Sequence, residues 1–89
     1  MSDFQIEKVL ALSTAHVRRE TAGEIAGGAE WAPSWSRDEG WMFHVDTLLE
    51  GEAPADLRAA AALAREQGCV WLMLDMDGPI VDELEEHAW

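Results

Sequence analysis

The run Cys69-Val70-Trp71-Leu72-Met73-Leu74 constrains this chain most. It is too short for a helix of ordinary length and is apolar at even and odd positions alike. Such a segment buries both of its faces, as a central strand does. It is bracketed by Gly68 and by the turn-forming Asp75-Met76-Asp77-Gly78. A chain of 89 residues can bury only one modest core, so the domain, 1–89, is expected to be built around this strand.

The flanking segments fit that frame. Residues 6–12 read as a mostly buried strand closed by Ser13-Thr14. Val17, Thr21, Ile25 and Ala29 recur at the four-residue spacing of an amphipathic helix, here over 18–26. Gly23 weakens that helix, and Gly27-Gly28 ends it. Residues 31–36 contain Pro33 and read as a loop or an edge strand. From Trp41 the chain alternates: Trp41, Phe43 and Val45 face one way, Met42, His44 and Asp46 the other. With 33–37 this predicts a β-hairpin across Asp38-Glu39-Gly40. Gly51 to Pro54 reads as a linker. A helix follows over 56–67, with Leu57, Ala60, Ala61 and Ala64 inward, Asp56 in its first turn and Gly68 as its stop. Ile80-Val81 reads as a short C-terminal strand. The succession is β-α-β-β-α-β, an α+β class and the split βαβ or ferredoxin-like pattern.

Charge then narrows function. Eighteen acids face six bases, a net charge of −12. Asp38 to Leu57 holds six acids and no base, and seven acids without a base follow Arg65. Direct binding to nucleic acid or an anionic membrane is disfavoured, and a basic partner is favoured. No apolar stretch is long enough to span a bilayer, and the N-terminus lacks a basic signal region, so a cytoplasmic location is expected. The lone Cys69 excludes an internal disulfide and reads as a buried thiol.

Val70 to Asp82 resembles the haloacid-dehalogenase-like phosphatases, in which an apolar strand leads into Asp-x-Asp-Gly. That resemblance makes Asp75 a nucleophile, Asp77 an acid/base and both Mg²⁺ ligands. The rest of the pattern is missing. Only Pro79 to Trp89 follows, the sole lysine is Lys8, and Pro79 stands where Thr or Val is usual. The expectation is therefore no enzyme, no catalytic residues, no cofactor and no dedicated metal. Asp75, Asp77 and Asp82 retain a general capacity for hard cations. His16, His44 and His87 lack zinc-site spacing. His16 reads as a polar residue at a helix entrance, His44 as one on the sheet's outer face.

Leu12-Ser13-Thr14-Ala15-His16-Val17, Gly40-Trp41-Met42-Phe43, Pro54-Ala55-Asp56-Leu57, Gly68-Cys69-Val70-Trp71-Leu72, Asp75-Met76-Asp77-Gly78-Pro79 and Trp89 resemble a family of small uncharacterised proteins of plasmids, integrative elements and phages, often encoded near anti-restriction genes. The chain departs from that pattern at Gly23 and Gly27-Gly28, which bears on the length of the first helix. The resemblance implies an anti-CRISPR or anti-restriction inhibitor acting on a basic nucleic-acid-binding complex of a bacterial defence system. The expected contact residues are Glu50, Glu52 and Asp56 in one patch, with Asp38, Glu39 and Asp46 near it in sequence, and Asp82, Glu83, Glu85 and Glu86 in another. Trp31, Trp35 or Trp89 would serve as anchors. A metal-dependent phosphatase on Asp75 and Asp77, and a homodimeric structural module, are the alternative readings. An acidic face that merely keeps the chain soluble is the blandest of all.

Overall fold

The computed structural model describes residues 5–29, 31, 34–37 and 39–87, with Trp35 and Arg37 described by their backbone alone. The strands are β1 (Val9–Ser13), β2 (Ser34–Arg37), β3 (Gly40–His44) and β4 (Trp71–Asp75). The helices are α1 (Arg19–Ala26), α2 (Val45–Glu50) and α3 (Ala55–Glu66), and a 3₁₀ turn, Thr14–His16, follows β1. They form one sheet in the order β1-β4-β3-β2. No helix among the described residues is long and apolar enough to cross a membrane.

As its apolar faces require, β4 is interior, parallel to β1 and antiparallel to β3. The order of elements along the chain is the expected one, apart from α2. The pairing is not that of a split βαβ unit, in which a strand lies between two parallel strands. Here the parallel strands β1 and β4 are direct neighbours. The reason lies in composition. β4 is apolar on both faces and takes the interior place, whereas β1 opens on the exposed Val9 and tolerates an edge.

One face of the sheet supplies Leu12, Leu72, Leu74 and Phe43 to the core, all fully buried, with Leu10 and Trp41 packed against them. Val17 and Ile25, Val45 and Leu48, and Leu57, Ala60, Ala61 and Ala64 meet them from the helical layer. Each buried leucine contributes about 2 kcal/mol. The alanine face of α3 allows its close approach to the sheet. Cys69 is buried, as expected.

The hairpin forms as predicted, with Arg37 opposite Gly40, but β3 stops at His44. Val45 begins α2 instead of continuing the alternation. Val45, Leu48 and Leu49 share helical spacing, and the first two are buried. The Val45 amide donates to the Val70 carbonyl at 2.9 Å, which fixes the bend. Ile80 and Val81 form no strand.

Two glycines in α1 and β3 differ sharply in what they permit. A Cβ on Gly23 would meet nothing within 4 Å, whereas one on Gly40 would lie 1.7 Å from the Leu74 carbonyl oxygen. Gly23→Ala should stabilise the domain by about 1 kcal/mol. Gly40→Ala should destabilise it by about 3 kcal/mol, because the hairpin must move off β4. Urea unfolding of the two variants measures both.

Candidate functional site

The carboxyl end of β1 is where the C-terminal segment is fastened. The Ser13 amide donates to the Pro79 carbonyl at 2.8 Å, and the His87 amide donates to the Ala15 carbonyl at 2.7 Å. Between these points stands His16, 2% exposed at the end of the 3₁₀ turn. Its Nε2 accepts from the Val81 amide at 3.0 Å. A nitrogen that accepts a backbone N–H carries no proton, so Nδ1 bears it and donates to the Glu85 carbonyl at 2.8 Å. One neutral imidazole thus grips the segment at two places, and Val81 and Leu84 pack against the core. Residues 79–87 form an irregular strap. Its backbone groups at Pro79 and Val81 are spent on Ser13 and His16, which is why the expected strand is absent. His16 sits at the approach to α1, as its position suggested, but as a buried fastener. Nothing in the spacing of a lone histidine announces that role.

Asp82, Glu83, Glu85 and Glu86 are exposed along the strap. The strap is held by backbone groups, by the His16 ring and by Val81 and Leu84. Its acidic side chains are exposed, and among the described residues the ion-pair approach is that of Glu85 to His87 at 4.0 Å. Four carboxylates within five residues therefore ride on a fixed backbone. An open groove of about 290 Å³ separates the strap from the first turns of α3, lined by His16, Arg18, Asp56, Ala59, Glu83 and His87.

The residues of the other expected patch have different surroundings, with Asp46 and Glu50 four apart on α2. Asp46 is ion-paired with Arg65 at 2.5 Å. The hydrogen bond from that guanidinium holds the Asp46 carboxyl below the usual carboxylate range. The pair's contribution is present when Asp46 is ionised and is lost as falling pH protonates it. Both side chains are more than half exposed, so salt screens it. Asp56 is committed inside the fold. Its Oδ2 accepts from the Arg18 amide and the Thr21 hydroxyl, each at 2.7 Å, and Oδ1 accepts from the Leu57 amide at 2.8 Å. This carboxylate ties the N-termini of α1 and α3 together. Glu50 and Glu52 are exposed near the α2–α3 connection. Asp38 lies outside the described residues. Of the proposed anchors, Trp31 is half-buried against the core; the Trp35 side chain and Trp89 lie outside the described residues.

Glu39 joins a different group. Its carboxylate and those of Asp75 and Asp77 lie within 4.8 Å of one another, at the turn ends of the hairpin and of β4. Asp82 is not in that group. The Asp77 amide donates to Asp75 Oδ1 at 2.8 Å, the side-chain turn that an Asp-x-Asp-Gly sequence forms on its own. The sole lysine is at the far end of the sheet: Val9 pairs with Trp71, whereas Ser13 pairs with Asp75. Lys8 Nζ donates to the Gln67 carbonyl at 2.8 Å. A five-residue strand puts that end about 13–17 Å from Asp75.

His16→Phe keeps ring volume and removes both ring-to-strap bonds. It should cost about 1–3 kcal/mol, since two part-buried backbone groups lose their partners. Hydrogen exchange at residues 79–87 should rise while α3 stays protected; unchanged protection of the strap would contradict the assignment. Asp56→Ala should destabilise the fold by about 2 kcal/mol through the orphaned Thr21 and Arg18 donors.

No curated protein and no solved structure matches the chain. Residues 9–89 match the model of the family of unknown function DUF5983, C-terminal domain. That span begins at the first residue of β1 and takes in the whole sheet, the helices and the strap, and the chain belongs to the DUF5983 family.

Proposed function

We propose that this domain binds the basic, nucleic-acid-binding surface of another protein and occupies it in place of phosphates. The observation that carries the reading is the strap: Asp82, Glu83, Glu85 and Glu86 exposed on a backbone fastened by His16, with no base after Arg65. A segment already fixed loses less entropy on binding than a mobile acidic tail would. Grooves that hold nucleic acid are lined by Lys and Arg, and their attraction to carboxylates is of the same salt-sensitive kind as their attraction to phosphates.

The finer reading is an inhibitor of a bacterial defence complex, anti-CRISPR or anti-restriction, acting in the host cytoplasm. It draws on the sequence resemblance to mobile-element proteins. Family membership itself carries no activity. The phosphatase alternative on Asp75 and Asp77 is weaker, because Lys8 stands at the opposite end of β1.

The test is capture from a bacterial lysate on the immobilised domain, followed by elution with duplex DNA. The retained proteins should be nucleic-acid-binding, should be displaced by the duplex, and should be released as salt rises from about 50 to 200 mM. The triple reversal Glu83→Lys, Glu85→Lys, Glu86→Lys should abolish capture without lowering the melting temperature by more than a few degrees. Capture that survives the reversal, or that DNA does not compete, would refute the reading.

A further inference from the structure

Two grooves meet beside the joint between α1 and α3. The groove of about 290 Å³ between the strap and α3 reaches Arg18, Ala55 and Asp56. A second groove, of about 360 Å³, opens from the same three residues and extends to Glu20 and Glu24 on α1. The two are therefore continuous. Exposed carboxylates line both arms, Glu83 and Glu85 in one, Glu20 and Glu24 in the other. Ala55 and Ala59, one turn apart on α3 and both exposed, supply an apolar wall, and the partly exposed Leu84 faces them from the strap.

The walls are held in place. Asp56 binds the Arg18 amide at 2.7 Å, so the arginine side chain starts from a fixed point. His16 binds the Glu85 carbonyl at 2.8 Å and the Val81 amide at 3.0 Å, which sets the strap side. Glu20 and Glu24 stand one turn apart on α1. Arg18 is exposed, and among the described residues its guanidinium has no ion-pair partner, in a chain of eighteen acids and six bases. Asp56 beside it is already turned onto three donors. The free charges along the groove therefore run acidic, basic, acidic.

We infer that this groove binds a short extended segment of the partner protein that carries Arg or Lys at each end and Asp or Glu between them. The aliphatic stems of the basic residues lie on Ala55, Ala59 and Leu84 while their heads reach the two pairs of carboxylates. An arginine head matches a carboxylate through two parallel hydrogen bonds. Arg18 meets the central acid and repels a segment that is basic throughout. Along α1 the rise from Arg18 to Glu24 is about 9 Å, and along α3 the rise from Ala55 to Ala59 is about 6 Å. An extended segment covers that path in about five to seven residues. The inference rests on the proposed function in taking the partner to be a protein with a basic surface. It adds an order of charges, which the strap alone does not specify.

The probe is a capped seven-residue peptide with Arg at both ends, Glu at its centre and Ala elsewhere. A second peptide has Arg at the centre as well, and a third has Glu at both ends and Arg at the centre. Each is titrated into the whole domain, and its dissociation constant is read from the backbone amide NMR shifts of Glu20, Glu24, Ala59 and Leu84. The first peptide should bind at least about fivefold more tightly than the second, although the second is the more basic, and the third should not bind. Arg18 gives its amide to the fold, not its side chain, so Arg18→Glu keeps the domain folded and should reverse the order of the first two peptides. Glu20→Gln with Glu24→Gln should weaken the first peptide severalfold. Equal or tighter binding of the all-basic peptide, an order that Arg18→Glu leaves unchanged, or shifts confined to the strap would each overturn the inference. Lysate capture is a separate readout. Capture that responds to the strap reversal, alongside a peptide order indifferent to Arg18, refutes the groove and leaves the proposed function standing. Capture that DNA does not compete, alongside the expected peptide order, supports the groove and refutes the proposed function.

Discussion

Burial of β4 on both of its edges and one of its faces is the constraint on which the rest of the molecule depends. Leu72 and Leu74 are wholly withdrawn from water between the sheet and the helices. With β1 on one side and β3 on the other, the carboxyl ends of the two parallel strands fall side by side, Ser13 against Asp75. The chain leaves β4 there, turns at Asp77 and Gly78, and passes directly beneath the end of β1. A Cβ on Gly78 would lie 2.6 Å from the Leu12 carbonyl, so this crossing needs a glycine. The strap's path follows from which strand is central.

That geometry explains how a chain so acidic holds a dense run of carboxylates against itself. Fastening the strap by acidic side chains would have consumed the charge. Fastening it by the His16 ring, by backbone groups at Ser13 and Ala15, and by Val81 and Leu84 leaves the charge outward. Three of the six cations are used elsewhere. Arg65 neutralises Asp46, Lys8 caps the Gln67 carbonyl, and Arg58 donates to the Leu49 carbonyl. The carboxylate that does enter the framework, Asp56, is surrounded by three donors and acts as a joint between helices.

Much of this was legible in the sequence where periodicity and burial coincide. The two-faced apolar run gave β4, the alternation gave the hairpin, and the four-residue spacing from Val17 to Ile25 gave α1 and its buried side. The alanine face of α3 and its glycine stop also stand where pattern placed them. What was not legible depends on contacts between distant residues. The alternation through Val45 and Asp46 hid a helix whose start bonds to the distant Val70 carbonyl and whose Leu48 enters the core. Asp46 and Asp56 looked like unpaired charge because their partners, Arg65, Thr21 and the Arg18 amide, lie 19, 35 and 38 residues away. His16 is separated by 65 and 69 residues from the groups it binds. The exposure of Asp82, Glu83, Glu85 and Glu86 was legible, because a run of carboxylates is a local property.

Backbone ¹⁵N relaxation of the free protein probes the strap's fixity most directly, at Asp82 to Glu86. A strap fastened at His16 before any partner arrives should show order parameters near about 0.85, close to those of α3. Values below about 0.6 on the same residues would mean an acidic tail that moves independently of the domain, and a preformed stand-in for phosphates would lose its basis.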